Sequence, residues 1–108
     1  MGSHLLLEVY DVEFNLLNEE KPLLETISQA ISRAKMTILN TFSHCFEPQG
    51  ITIVIALSES HCSLHSWPEN GCASIDVYTC GEGNPKIIIL ELLKYFNTEN
   101  YTIRELDR

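Results

Sequence analysis

The sequence predicts an α+β domain in which an antiparallel sheet is covered on one face by two helices, a two-layer sandwich. Three observations carry this reading. Apolar residues recur at helical spacing near 20–34, and Asn84-Pro85 marks the start of a second helix running to about Asn97. The remaining apolar stretches are short, of strand length, and rich in Val, Ile, Tyr and Thr. Taken in order they read β-α-β-β-(β)-β-α-β, with strands running consecutively between the helices, which favours helices segregated to one face over alternating βαβ units. At 108 residues the chain is the size of one domain, 1–108.

Residues 4–12 read as the first strand, with Leu5, Leu6, Leu7, Val9 and Tyr10. Asn15 to Asn18 read as a break. Pro22 suits the first turn of a helix, where its missing N–H has no partner to lose. Leu23, Leu24, Ile27, Ala30, Ile31 and Ala34 then form an amphipathic stripe. Met36 to Glu47 alternates loosely as a strand and ends at the turn signal Pro48-Gln49-Gly50. Ile51 to Leu57 is strongly apolar and rich in β-branched residues, as a central strand is. Ser58 to Glu69 is polar and irregular. Ala73 to Thr79 is a further strand and Gly81 to Pro85 a loop. Asn84 is placed to cap a helix with Pro85 at its first position, ending near Asn97. Tyr101 to Leu106 is the last strand. A modest core of this size leaves the second sheet face open, and a dimer would bury it.

The net charge of -8, with seven Lys and Arg scattered along the chain, would repel a phosphate backbone and argues against nucleic acid as partner. It is compatible with a cationic substrate, although solubility explains it as well. No apolar run approaches the ~18 residues that mark a membrane span, and no basic segment followed by an apolar core opens the chain as in a signal peptide. The expected location is the cytoplasm. Cys45, Cys62, Cys72 and Cys80 form no Cys-x-x-Cys pair, so free thiols are the default, most of them small buried hydrophobes. Lys21, Lys35, Lys86 and Lys94 fall at helical or helix-edge positions and read as solvated.

The segment Ser58-Glu59-Ser60-His61-Cys62-Ser63-Leu64-His65-Ser66-Trp67-Pro68-Glu69 concentrates serines, histidines, a thiol and carboxylates directly after the central strand. A Ser-His hydrolase is one reading, but there is no Gly-x-Ser-x-Gly elbow and no acid in evident position to orient a histidine. A metal site from His44, His61, His65 and Cys80 is another, but there is no His-Glu-x-x-His and the segment is a poor helix. A structural loop whose polar groups satisfy one another is the third, and on residue types alone the favoured one.

The string Glu59-Ser60-His61, with Leu64-His65 and Trp67-Pro68-Glu69, resembles the self-processing segment of the short prokaryotic S-adenosylmethionine decarboxylases. Further blocks resemble the same family in its order: Met1-Gly2-x-His4-Leu5 at the start, Phe46-x-Pro48-Gln49-Gly50 before the central strand, and Ala73-x-Ile75-Asp76-Val77-Tyr78-Thr79-Cys80-Gly81 as the thiol-bearing strand. The start block argues against reading Met1 to His4 as an expression-tag scar.

The resemblance implies a pyruvoyl-dependent, self-processing carboxy-lyase with no metal. Ser60 would attack the Glu59 carbonyl, shift the acyl group from N to O, and lose its α-proton with elimination of the ester. Hydrolysis of the dehydroalanine would then leave a pyruvoyl group at residue 60. Residues 1–59 would become the β chain and 60–108 the α chain. The ketone would take the substrate amine as a Schiff base and act as electron sink, so no lysine-held cofactor is needed. His65 is implied as proton acceptor for the elimination, Thr52 as the hydroxyl that supports processing (the family usually has serine there), and Cys80 as the acid that reprotonates the α-carbon. Phe46 is implied against the adenine ring and Glu69 on the ribose hydroxyls. The structural alternatives are a hydrogen-bonded loop histidine, a strand threonine, a buried cysteine, a core aromatic and a solvated acid.

The implied reaction converts S-adenosylmethionine to decarboxylated S-adenosylmethionine and CO2, on the route to spermidine, in a homodimer with active sites at its interface. Asn70-Gly71-Cys72 stands where the family often has Tyr-Gly-Tyr, which removes two aromatic rings and leaves L-arginine or L-ornithine as alternative substrates. A non-processing paralogue that binds and regulates is a second alternative, although a pure binder has no need of Ser60, His65 and Cys80 together.

Overall fold

In a computed structural model describing residues 2–108, the chain forms one sheet with helices on one side. The elements are β1 (Ser3–Val9), α1 (Phe14–Asn18), α2 (Glu20–Arg33), β2 (Ile38–Cys45), β3 (Ile51–Leu57), β4 (Ser60–Trp67), β5 (Cys72–Thr79), α3 (Pro85–Phe96) and β6 (Tyr101–Asp107). The six strands lie in the order β2-β3-β4-β5-β1-β6, each antiparallel to its neighbours. The expected α+β two-layer architecture is therefore the one observed. Met1, part of the start block, lies outside the described residues.

Alternation places one side chain in two on each face. Leu5, Leu7 and Val9, Ile51, Ile53 and Ile55, Leu64, and Ile75 and Val77 are buried beneath the helices. Leu23, Ile27 and Ile31 of α2 meet them together with Ile88, Ile89, Leu92 and Phe96 of α3. The Asn84 side chain caps α3 by accepting the Lys86 N–H, with Pro85 at the first position, as its sequence indicates.

Two segments differ from expectation. Residues 14–18 are a short helix rather than a break, because Leu17 turns fully into the core. The polar segment after β3 is a strand, regular from His61 onward. Cys62, Leu64 and Ser66 face inward, while His61, Ser63, His65 and Trp67 face outward. A serine at an inward position hid that alternation. Ser66 is tolerated because its hydroxyl donates to the Leu17 carbonyl at 2.7 Å and accepts the Ile51 N–H at 3.0 Å.

Candidate active site

The β3–β4 hairpin turns in two residues, Ser58 and Glu59, between the paired Leu57 and Ser60. Such turns normally place positive φ at a loop residue, usually Gly or Asn. Neither is present, and the positive φ falls on Ser60, at 152°. That region is sparsely populated for a residue with a side chain and costs on the order of 1–3 kcal/mol. Neighbouring residues of a regular strand point to opposite faces, yet here the Ser60 Oγ lies 3.2 Å from Nδ1 of His61, the next residue.

The carbonyl preceding Ser60 has two donors. The Glu59 oxygen accepts the Cys80 backbone N–H at 3.0 Å and the Cys80 thiol at 3.2 Å. Cys80 follows directly on β5 and is exposed, so its sulfur is both accessible and aimed at that oxygen. A Cβ at Gly81 would stand 2.6 Å from Glu59 Cγ, so glycine lets the two segments approach. The Glu59 carboxylate accepts the Thr37 N–H, which holds its pKa below the ordinary value.

On the sheet face away from the helices, His61, Tyr78 and His4 stand side by side on β4, β5 and β1. Asp76 lies one step along the same face. Its Oδ2 is 2.7 Å from His4 Nε2 and 3.2 Å from His61 Nε2, and its Oδ1 accepts the Ser63 hydroxyl. Burial raises the Asp76 pKa, but the hydrogen bonds from Ser63, His4 and His61 outweigh it and hold the carboxyl below its ordinary value.

A second group occupies the opposite end of the same face. Thr52 Oγ1 and His65 Nδ1 are 2.6 Å apart across β3 and β4. The His65 ring lies edge-on to Trp67 and to Phe46, with centroids 4.4 and 5.7 Å away, and Phe46 is edge-on to His44 at 4.6 Å. Phe46 is 42% exposed, so it is not the core residue of its structural alternative. Glu69 is exposed on the single turn of 3-10 helix after β4.

The sequence-derived residues thus divide. Glu59, Ser60 and Cys80 converge, and so do Thr52, His65 and Phe46. The two groups do not meet within one chain: Ser60 and His65 are five residues apart on a strand, roughly 16 Å at about 3.3 Å per residue. The metal set weighed earlier separates the same way, with His44 and His65 at one end and His61 and Cys80 at the other. Sequence reasoning named His61, Asp76 and His4 in its motifs but missed that they group together beside Ser60. It found no acid placed to orient a histidine, and Asp76 becomes one through the pairing of β4 with β5. Cys62 is buried as expected, whereas Cys45 is exposed on the edge strand β2. Lys21, Lys35, Lys86 and Lys94 are all exposed.

The profile of the family described as S-adenosylmethionine decarboxylase matches residues 3–108. A protein of Prochlorococcus marinus (strain MIT 9313) named S-adenosylmethionine decarboxylase proenzyme is 43% identical over 109 aligned positions, which cover 100% of this chain and 87% of that one. A protein of the same name from Methanococcus maripaludis is 36% identical, covering 100% and 89%. The crystal structure of the adenosylmethionine decarboxylase from Aquifex aeolicus superposes with a TM-score of 0.91 at 30% identity, covering 100% of this chain and 90% of that one.

Proposed function

The chain belongs to the S-adenosylmethionine decarboxylase family, and from that premise we propose how its own residues carry the reaction. It is a decarboxylase acting on S-adenosylmethionine. The proposal is that it works through a pyruvoyl group made from Ser60. Scission between Glu59 and Ser60 would leave residues 1–59 and 60–108 as two chains of one folded domain.

The observation that carries this reading is the pair of Cys80 donors on the Glu59 oxygen. When the Ser60 hydroxyl adds to that carbonyl, negative charge grows on the oxygen. Donors already in place stabilise it without reorganising. The strained φ at Ser60 is also relieved when the peptide opens. These features fit a residue that becomes a pyruvoyl group. Once formed, that group supplies an electron sink for the carbanion left as CO2 departs. The Cys80 thiol then holds a proton beside residue 60 to return to the substrate α-carbon.

Thr52 and His65 would take the Ser60 α-proton during processing, with the threonine hydroxyl holding the imidazole. Their distance from Ser60 in one chain supports a homodimer. The face they share carries the exposed Phe42 and Val54 and has no helix over it. Packing two such faces about a two-fold axis running across the strands reverses one strand direction against the other. The His65 end of one chain would then lie over the Ser60 end of its partner. Phe46, on the same end as His65, would reach the adenine ring and Glu69 the ribose hydroxyls. The product keeps an aminopropyl group on its sulfonium, as spermidine synthesis requires. Four free cysteines are compatible with a reducing cytoplasm.

One incubation tests the reading. Carboxyl-labelled S-adenosylmethionine, L-arginine and L-ornithine are offered to the purified protein, whose chains are also resolved on a denaturing gel. Label release from S-adenosylmethionine by a protein that runs as two fragments is the expected result. Release from an amino acid alone would overturn the substrate. An intact chain without activity would overturn self-processing and favour a binding paralogue.

A further inference from the structure

We propose that His61, oriented by Asp76 and His4, is the base that takes the Ser60 hydroxyl proton in the acyl shift. This rests on the reading of Ser60 as the self-processing nucleophile, and adds to it a residue outside both the Glu59–Cys80 and the Thr52–His65 groups. Processing removes two different protons from Ser60, one from oxygen and one from the α-carbon. His65, five residues along β4, and Thr52, opposite it on β3, stand too far away to reach the oxygen of their own chain, whereas His61 Nδ1 is 3.2 Å from it.

The direction of the proton follows from the second ring nitrogen. His61 Nε2 faces the Asp76 carboxylate at 3.2 Å, and an ionised carboxylate only accepts. The N–H of a neutral His61 ring is therefore on Nε2, leaving the Nδ1 lone pair toward Ser60. His4 Nε2 donates to the same carboxylate oxygen at 2.7 Å, and Ser63 donates to the other. Asp76 is thus fixed from both sides and stays an acceptor. His4 in turn receives Arg108 on Nδ1 at 3.4 Å. The ionisable groups facing His61 are Asp76 and Tyr78 from β5 and His4 from β1, with Arg108 stacked over Tyr78. Across β3 its neighbour is Ala56, which carries no charge.

In the step, the Ser60 O–H bond breaks and its proton passes to His61 Nδ1. A bond forms from Oγ to the Glu59 carbonyl carbon, and the carbonyl electron pair moves onto the oxygen between the Cys80 donors. The C–N bond of the peptide then breaks, and His61 returns its proton to the Ser60 nitrogen as it leaves. The result is an ester and a free amine, with no outside reactant. The positive φ of Ser60 has a purpose in this account, because a regular strand would turn Oγ away from His61. Asp76 and His4 are positioning residues.

The test follows chain scission of newly made protein, with hydroxylamine added to cut any ester. His61→Gln alters a partly exposed ring and leaves the core untouched. It is expected to slow scission by roughly 10²–10⁴-fold, the usual worth of a positioned base. The stalled chain should resist hydroxylamine, because no ester has formed, and added imidazole should restore part of the rate. Asp76→Asn places an amide where the carboxylate fixes the tautomer, and should change the pH profile of scission as well as its rate. His65→Ala should instead stall as a chain that hydroxylamine cuts. A His61→Gln chain that cleaves at the wild-type rate, or that hydroxylamine cuts, would overturn the proposal. Scission in Ser60→Ala would instead overturn the underlying reading.

Discussion

The Glu59 carbonyl oxygen is held between the Cys80 backbone nitrogen at 3.0 Å and the Cys80 sulfur at 3.2 Å, so one residue contributes two donors to one acceptor. The two donors separate under mutation. Cys80→Ala keeps the N–H and removes only the thiol. Self-cleavage should continue and slow by less than the roughly 10²–10³-fold typical of losing an oxyanion donor, since a thiol donates weakly. CO2 release should fall about 100-fold or more, because no acid remains to protonate the product. Timed gels and labelled-CO2 assays on one preparation measure the two rates separately.

Thr52 Oγ1 and His65 Nδ1, 2.6 Å apart, make a second testable pair. Thr52→Val keeps the shape and removes the hydroxyl. Processing should stall after ester formation, accumulating a chain that hydroxylamine cuts, and Thr52→Ser should restore the wild-type course.

Asp76 links stability to pH. Its folded pKa lies below the ordinary value through the hydrogen bonds of Ser63, His4 and His61. The ionised form therefore stabilises the fold above the unfolded value of about 3.9. That contribution is lost as pH falls through the lower folded pKa. With both carried in the uncleavable Ser60→Ala chain, urea midpoints with Asp76 and with Asp76→Asn should differ at pH 7 and converge as pH falls below about 4 toward the lower folded pKa, at one fixed protein concentration.

Ser66 is buried with both its contacts made, to Leu17 and Ile51. Ser66→Ala leaves a carbonyl and an N–H without those partners, and should cost about 1–3 kcal/mol. The urea midpoint should fall with little change in slope, as for a loss of stability without a change in the surface exposed.

The sequence alone determined the fold class, both long helices and the strand Ile51–Leu57, and its resemblance to the family singled out Glu59, Ser60, His65 and Cys80 as the proposed reacting groups. Helical and strand periodicities are local, and the Asn84-Pro85 cap and the Glu59-Ser60-His61 segment can be read without knowing what lies across the sheet. It did not resolve β4, because an inward serine breaks the apolar alternation and only Leu17 and Ile51 explain why it is there. Nor did it find the acid behind His61. Asp76 is fifteen positions away, and strand register brings it to within a hydrogen bond. Tertiary structure also decided that Ser60 and His65, neighbours in the sequence motif, stand at opposite ends of one face. A strand rises about 3.3 Å per residue, so five residues of sequence become a separation no side chain can span.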